Sequence, residues 1–150
     1  MVTNWHLDFL ELAEYWSKKR SKDPSLKVGA VITRPDNTIC SLAYNGFPIG
    51  TPDLNYDDRE YKNDRVIHAE MNALLFAKES VQGYTIYCSA FPCCRCAAHI
   101  IQAGIKRVVS RPIDESRIQR SKYDVSLDLF REAGVEVIFL EEQCYLTPNL

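Results

Sequence analysis

No apolar run in this chain approaches the roughly 20 residues needed to cross a bilayer, so no membrane-spanning helix is expected. The opening residues Met1-Val-Thr-Asn-Trp-His6 offer neither a charged leader segment nor an apolar one, so no signal peptide is read. The expectation is a cytoplasmic protein with no membrane partner. An excess of basic charge is missing too: Lys and Arg number 18 against 20 Asp and Glu, for a net charge of −2. A nucleic-acid binder normally carries a basic face, so no nucleic-acid partner is expected. Internal repeats and an interdomain linker are also absent. Residues 1–150 are therefore expected to form a single domain, long enough to bury a substantial core.

What is present is an ordinary globular balance, with 46% apolar and 25% charged residues, which argues against disorder. Cysteine occurs six times. In a reducing compartment thiols are better read as metal ligands or packing than as disulfides. Cys93 and Cys96 have ligand spacing. Cys40, Cys88 and Cys144 lie in or beside apolar, strand-like runs and read as small buried hydrophobes.

Helical periodicity through Trp5, Phe9, Leu12, Ala13 and Trp16 predicts a first helix over residues 4–20, capped by Thr3 or Asn4. Its basic end, Lys18-Lys19-Arg20, suits a helix C-terminus exposed to water. Strands are expected at 27–33 and 38–44, forming an antiparallel hairpin across Arg34-Pro35-Asp36-Asn37. The polar stretch 46–65 reads as a long loop at the edge of a binding site. Beyond it the pattern gives helices at 68–78, 93–103 and 126–133, alternating with strands at 85–89, 107–110 and 135–140. Strands reached across helices lie parallel. The expected fold is an α/β, three-layer α/β/α sandwich around a five-stranded mixed sheet, with the last two strands parallel.

Two short motifs carry chemistry: His68-Ala69-Glu70, and Pro92-Cys93-Cys94-Arg95-Cys96. Cys93 and Cys96 fall one turn apart on one helix face, near a helix N-terminus whose partial positive charge favours thiolates. One imidazole and two thiolates hold a tetrahedral zinc with its fourth position open, the catalytic rather than the structural arrangement. Glu70 is then placed to move protons at a water in that position. His99 is a rival to His68 but lacks a neighbouring carboxylate, and Cys94 would not share a helix face with Cys96. Taken singly, each of these residues could be packing or a helix cap. In this order they match the H-x-E…P-C-x-x-C signature of zinc-dependent nucleobase deaminases.

Five segments extend the match: Lys27-Val-Gly-Ala-Val-Ile32, Tyr44-Asn-Gly-Phe-Pro48, Ile67-His-Ala-Glu-Met-Asn-Ala-Leu74, Tyr87 through Cys96, and Ile101-Gln-Ala-Gly-Ile105. In these the chain resembles the deoxycytidylate (dCMP) deaminase family of the cytidine deaminase superfamily. The resemblance implies zinc-dependent hydrolysis of dCMP to dUMP and ammonia, feeding thymidylate synthesis. It implies His68, Cys93 and Cys96 as zinc ligands and Glu70 as proton shuttle. It implies Asn45 at the deoxyribose 3′-hydroxyl, Ala69, Ser89, Ala90 and Phe91 around the base, and Tyr123 closing over the nucleotide. Read without the resemblance, Asn45-Gly46 is a common turn dipeptide and Phe91 is ordinary packing. A parallel last strand resembles the branch acting on nucleotides, tRNA and single-stranded DNA rather than free nucleosides. Tyr44 to Pro48 and Phe91-Pro92-Cys93 narrow it to the dCMP branch, since tRNA adenosine deaminases usually carry Glu where Phe91 stands.

Residues 47–67 contain no Cys or His, whereas some members of the family hold a second, structural zinc there. One zinc per subunit is expected. The resemblance further implies a homohexamer, activated by dCTP (with Mg2+ accompanying the triphosphate) and inhibited by dTTP. For the 5′-phosphate, Lys27, Arg34, Arg65, Arg111, Arg117, Arg120 and Lys122 are all left as candidates.

Overall fold

The computed structural model describes residues 4–142. Helix α1 (Trp5–Arg20) starts at Asn4, whose side chain accepts from the Leu7 N–H at 3.1 Å. The basic last turn faces water, with the Arg20 guanidinium over the Trp16 ring. Strands β1 (Gly29–Thr33) and β2 (Ile39–Tyr44) form the antiparallel hairpin, turning through Asn37 in the left-handed region at φ 66°. The chain continues through α2 (Arg59–Asn63), α3 (Ala69–Phe76), β3 (Thr85–Cys88), α4 (Cys94–Gln102) and β4 (Arg107–Ser110). A 3-10 turn at Glu115–Arg117 then leads into α5 (Ile118–Ser121), α6 (Tyr123–Ala133) and β5 (Glu136–Phe139).

The sheet runs β2-β1-β3-β4-β5, with β3, β4 and β5 parallel and β1 antiparallel to both neighbours. Alternation along the strands divides the core into two layers. Val31, Tyr87 and Val109 pack with Phe9, Leu10 and Ala13 of α1. Ala30, Ile32, Ile86, Cys88 and Val108 pack with Ala69 and Ala73 of α3, Ala97 and Ile100 of α4 and Phe130 of α6. This is the three-layer α/β/α sandwich with a five-stranded mixed sheet. Gly29 lets α1 sit down on the sheet, since a Cβ there would lie 1.9 Å from the Ala13 carbonyl oxygen.

The differences from expectation are local. The segment 46–65 is not all loop: Asp58 accepts from the Tyr61 N–H at 3.0 Å and starts α2. The last helix begins three residues earlier than its apolar pattern, because Lys122 adopts φ 51° and turns the chain sharply into Tyr123. Pro92 lies just ahead of the Cys93 cap of α4, and its carbonyl accepts from the buried Ser126 hydroxyl at 2.9 Å. Cys88 is fully buried and Cys40 half-buried against the core. Thr3 and Cys144 lie outside the described residues.

Candidate active site

Sheet register brings the functional segments to one edge. Ala30 pairs with Cys88 and Gly29 with Tyr44, so the entry to β1 and the exits of β2 and β3 lie together. Ser110 pairs with Cys88, adding the exit of β4. This is the carboxyl end of the parallel strands, where open α/β sheets place their ligands. A two-residue bridge between Gly46 and Ile67 fixes the chain just before His68. His68 is the N-cap of α3 and Cys93 the N-cap of α4, so both helices start at this edge.

The Nδ1 of His68 lies 3.5 Å from the Cys93 Sγ and 3.4 Å from the Cys96 Sγ. The three donor atoms all fall within 4.8 Å of one another, and no other His, Cys, Asp or Glu among the described residues joins the group. One nitrogen and two sulfurs converging this way fit a zinc ion with one position open. His99 instead turns its Nδ1 to the Arg95 carbonyl oxygen, 2.6 Å away.

Charge in the cluster is shared unevenly. A hydrogen bond from Cys96 is the largest influence on Cys93 and, with His68, holds its thiol far below the usual range. Cys96 is pushed up by that same hydrogen bond, by burial and by Glu70. The Cys93 thiolate raises the His68 imidazole against the effect of burial. Glu70, only 4% exposed on the first turn of α3, is raised by burial. A carboxyl poised this way is suited to holding and releasing a proton.

His68, Glu70 and Cys93 open onto a cavity of about 870 Å³, with Cys96 buried behind them. Asn45, His68, Ala69, Glu70, Ala90, Phe91, Cys93 and Tyr123 all line it. Phe91 is buried among three rings and meets Tyr123 edge to face, with centroids 5.6 Å apart. The Asn45 amide is committed to the protein: its Oδ1 accepts from the Ser21 hydroxyl and the Val28 N–H, and its Nδ2 donates to the Leu26 carbonyl. Ser89 stands apart from this wall. Its hydroxyl accepts from the Gly29 N–H at 2.9 Å, and it lines a smaller adjoining cavity of about 380 Å³ beside α1.

Residues 3–111 match the family model described as the cytidine and deoxycytidylate deaminase zinc-binding region. The chain belongs to the cytidine and deoxycytidylate deaminase family. This deaminase is 44% identical over 146 residues to an uncharacterized deaminase in the luxG 3′ region of Aliivibrio fischeri, covering 93% of this chain and 96% of that one. It is 36% identical over 144 residues to the deoxycytidylate deaminase of Pongo abelii, covering 83% and 81%. Among solved structures, the dCMP deaminase of cyanophage S-TIM5 in complex with dCMP and dUMP superposes with a TM-score of 0.77 at 29% identity, covering 93% of this chain and 99% of that one.

The deaminase cavity also sorts the basic residues. Arg117, Arg120 and Lys122 line it. Arg34 instead pairs with Glu79, Arg111 with Glu14, Arg65 covers the Tyr61 ring, and Lys27 donates to the Ser21 carbonyl. Arg59, Lys62 and Arg95 line the cavity as well and were not singled out from the sequence. Arg95 stands inside the cysteine motif, which was a usable signal. Arg59 and Lys62 follow the Asp58 cap, a weaker one.

Proposed function

We propose that this deaminase hydrolyses dCMP to dUMP and ammonia with one zinc per subunit. The observation that supports the reading is one cavity lined by Glu70, by His68 and Cys93 of the three-donor cluster, and by a set of cations. Arg59, Arg95, Arg117, Arg120 and Lys122 line that cavity, supplying charge for a 5′-phosphate. Lys62 is left out of this set because it is buried against Asp23, whereas the Arg117 pairing with Asp114 is exposed to water. Both the Pongo abelii relative and the cyanophage neighbour, by their names and bound nucleotides, support dCMP as substrate.

His68, Cys93 and Cys96 would hold the metal. Zinc so bound supplies Lewis acidity that brings the pKa of a water to about 7. Glu70 takes one proton of the attacking water and passes it to N3 of the cytosine ring, then moves the remaining proton from the new C4 hydroxyl to the departing 4-amino group as the C4 carbonyl forms. Water adds at C4, the C4–N bond breaks, and ammonia leaves. Ala69, Ala90 and Phe91 bound the base, and Ser89, just ahead of Ala90, is bonded to Gly29 of β1. Asn45 faces the sugar and Tyr123 closes against Phe91.

Residues 1–150 act as one catalytic domain in this reading, supplying dUMP for thymidylate synthesis in the cytoplasm. Among the described residues no helix is long and apolar enough to cross a membrane. The family resemblance supports a homohexamer with dCTP, carried with Mg2+, and dTTP as opposing effectors. Exposed Leu75 and Phe76 on α3 offer apolar surface for contact between copies. The test is ammonia release by zinc-loaded protein from dCMP, CMP, dCTP, deoxycytidine and an adenosine-bearing tRNA, with and without added dCTP. Preferred turnover of dCMP is expected. Turnover of the tRNA alone would overturn the substrate, and rates unmoved by dCTP would remove the regulation.

A further inference from the structure

Helix α2 carries the only buried lysine among the described residues. The Lys62 side chain is 9% exposed and that of Asp23 5%, with Nζ 3.1 Å from Oδ1. The same Asp23 oxygen accepts from the Ser25 N–H at 2.9 Å, the Ser25 hydroxyl at 2.8 Å and the Leu26 N–H at 3.3 Å. Lys62 also donates to the Ser25 hydroxyl oxygen. One carboxylate thus gathers the turn at 23–26 and ties it to α2, 39 residues away along the chain.

The two tied segments both line the deaminase cavity, where they adjoin. Asp23, Pro24, Ser25, Leu26 and Val28 form one, and Arg59, Lys62, Asn63 and Val66 the other. The far end of the first segment is already anchored by Asn45 through Ser21, Leu26 and Val28. The other side of α2 rests on rings: Tyr61 meets Phe47 edge-on, Phe47 stacks on Tyr56 at 4.1 Å, and the Arg65 guanidinium covers Tyr61. Withdrawing an ammonium and a carboxylate from water is costly, and an apolar pair of the same size would usually stabilise the fold as well or better. Stability alone therefore gives no reason for charges at this joint. Their hydrogen bonds do what an apolar pair would not, fixing the spacing of the two lining segments.

We infer that Lys62 is a positioning residue of the deaminase: through Asp23 it sets the spacing of the two lining segments, and with it the affinity for the nucleotide. This rests on the dCMP reading above. Lys62 acts through Asp23 and takes no part in the proton transfers of Glu70.

The experiment uses the zinc-loaded full chain as wild type, Lys62→Met and Lys62→Arg. Steady-state kinetics on dCMP are paired with hydrogen exchange in the absence of nucleotide. Lys62→Met is expected to raise KM about tenfold with kcat held within roughly twofold, the pattern of lost uniform binding. Amides of residues 23–28 should lose protection together with those of α2. Lys62→Arg keeps the charge and should recover part of the KM, and it carries the test should Lys62→Met not fold. Unchanged KM and unchanged exchange overturn the inference, as does a fall in kcat at constant KM. If the wild type leaves dCMP untouched, the substrate reading fails on its own. Exchange then decides the clamp, with paired loss of protection upholding it and unaltered protection at 23–28 overturning it.

Discussion

The Sγ of Cys96 lies 3.4 Å from the Nδ1 of His68, although 28 residues separate them in the chain. The shared starting edge of α3 and α4 brings them together. Replacing Cys96 by Ala should therefore leave the fold in place and empty the metal site. Elemental analysis is expected to give about one zinc per chain in the wild type and almost none in the variant. Two zinc ions per wild-type chain would contradict the single-site reading.

Glu70 shares the first turn of α3 with no part in the ligand set. Glu70→Gln should keep its zinc and still bind dCMP, while turnover falls by about 10²- to 10⁴-fold, the range for loss of a positioned acid–base group. Full activity in this variant would remove Glu70 from the mechanism.

Gly29 is required by the approach of α1 to the sheet. A Cβ placed 1.9 Å from the Ala13 carbonyl oxygen meets backbone, which has no rotamer to yield. Gly29→Ala should cost at least the ~1–3 kcal/mol typical of overpacking. Urea denaturation reads this as a lowered midpoint, and a midpoint equal to wild type would show that α1 docks differently.

Asp23 gives the fold an acid limb. Burial is the strongest single influence and pushes its carboxyl up. Hydrogen bonds from the Ser25 N–H and hydroxyl, the Lys62 ammonium and the Leu26 N–H outweigh it, leaving the group below its ordinary 3.8. A carboxylate lowered in the folded state contributes stability that is complete above its unfolded pKa and lost as pH falls through the folded one. Stability should drop as pH falls below about 4. Asp23→Asn should be less stable at pH 7 and show a flatter decline below pH 4, measured by urea denaturation across a pH series. Parallel curves for the two proteins would show that Asp23 does not carry this limb.

The parts of the site legible in the sequence are those written in short motifs. His68 and Glu70 differ by two positions and Cys93 and Cys96 by three, so each pair is held within one cap and first turn, of α3 and of α4. The sheet was legible for a related reason, because a helix such as α4 or α6 between neighbouring strands is the crossover that a parallel pair requires. The Lys62–Asp23 pair was not. Its partners are 39 residues apart, and each lies in a polar stretch that reads as solvated until the fold buries it. Helix α2 was missed because five residues span little more than one turn, too short for a period to show. Tyr123 came from family resemblance, since the apolar pattern begins at Ser126 and gives no warning that Lys122 reverses the chain just before it. Asn45 reads as half of a turn dipeptide, and only the structure reveals a buried amide holding Ser21, Leu26 and Val28 of the stretch 21–28 beside the cavity.

The most direct test of zinc-dependent dCMP deamination compares ammonia release from dCMP by three samples: zinc-loaded protein, chelator-stripped protein, and stripped protein returned to zinc. The account predicts turnover in the first, its loss in the second and its recovery in the third, with uracil absorbance appearing in step with ammonia. Equal turnover in the stripped sample, or none on dCMP in any of the three, would contradict it.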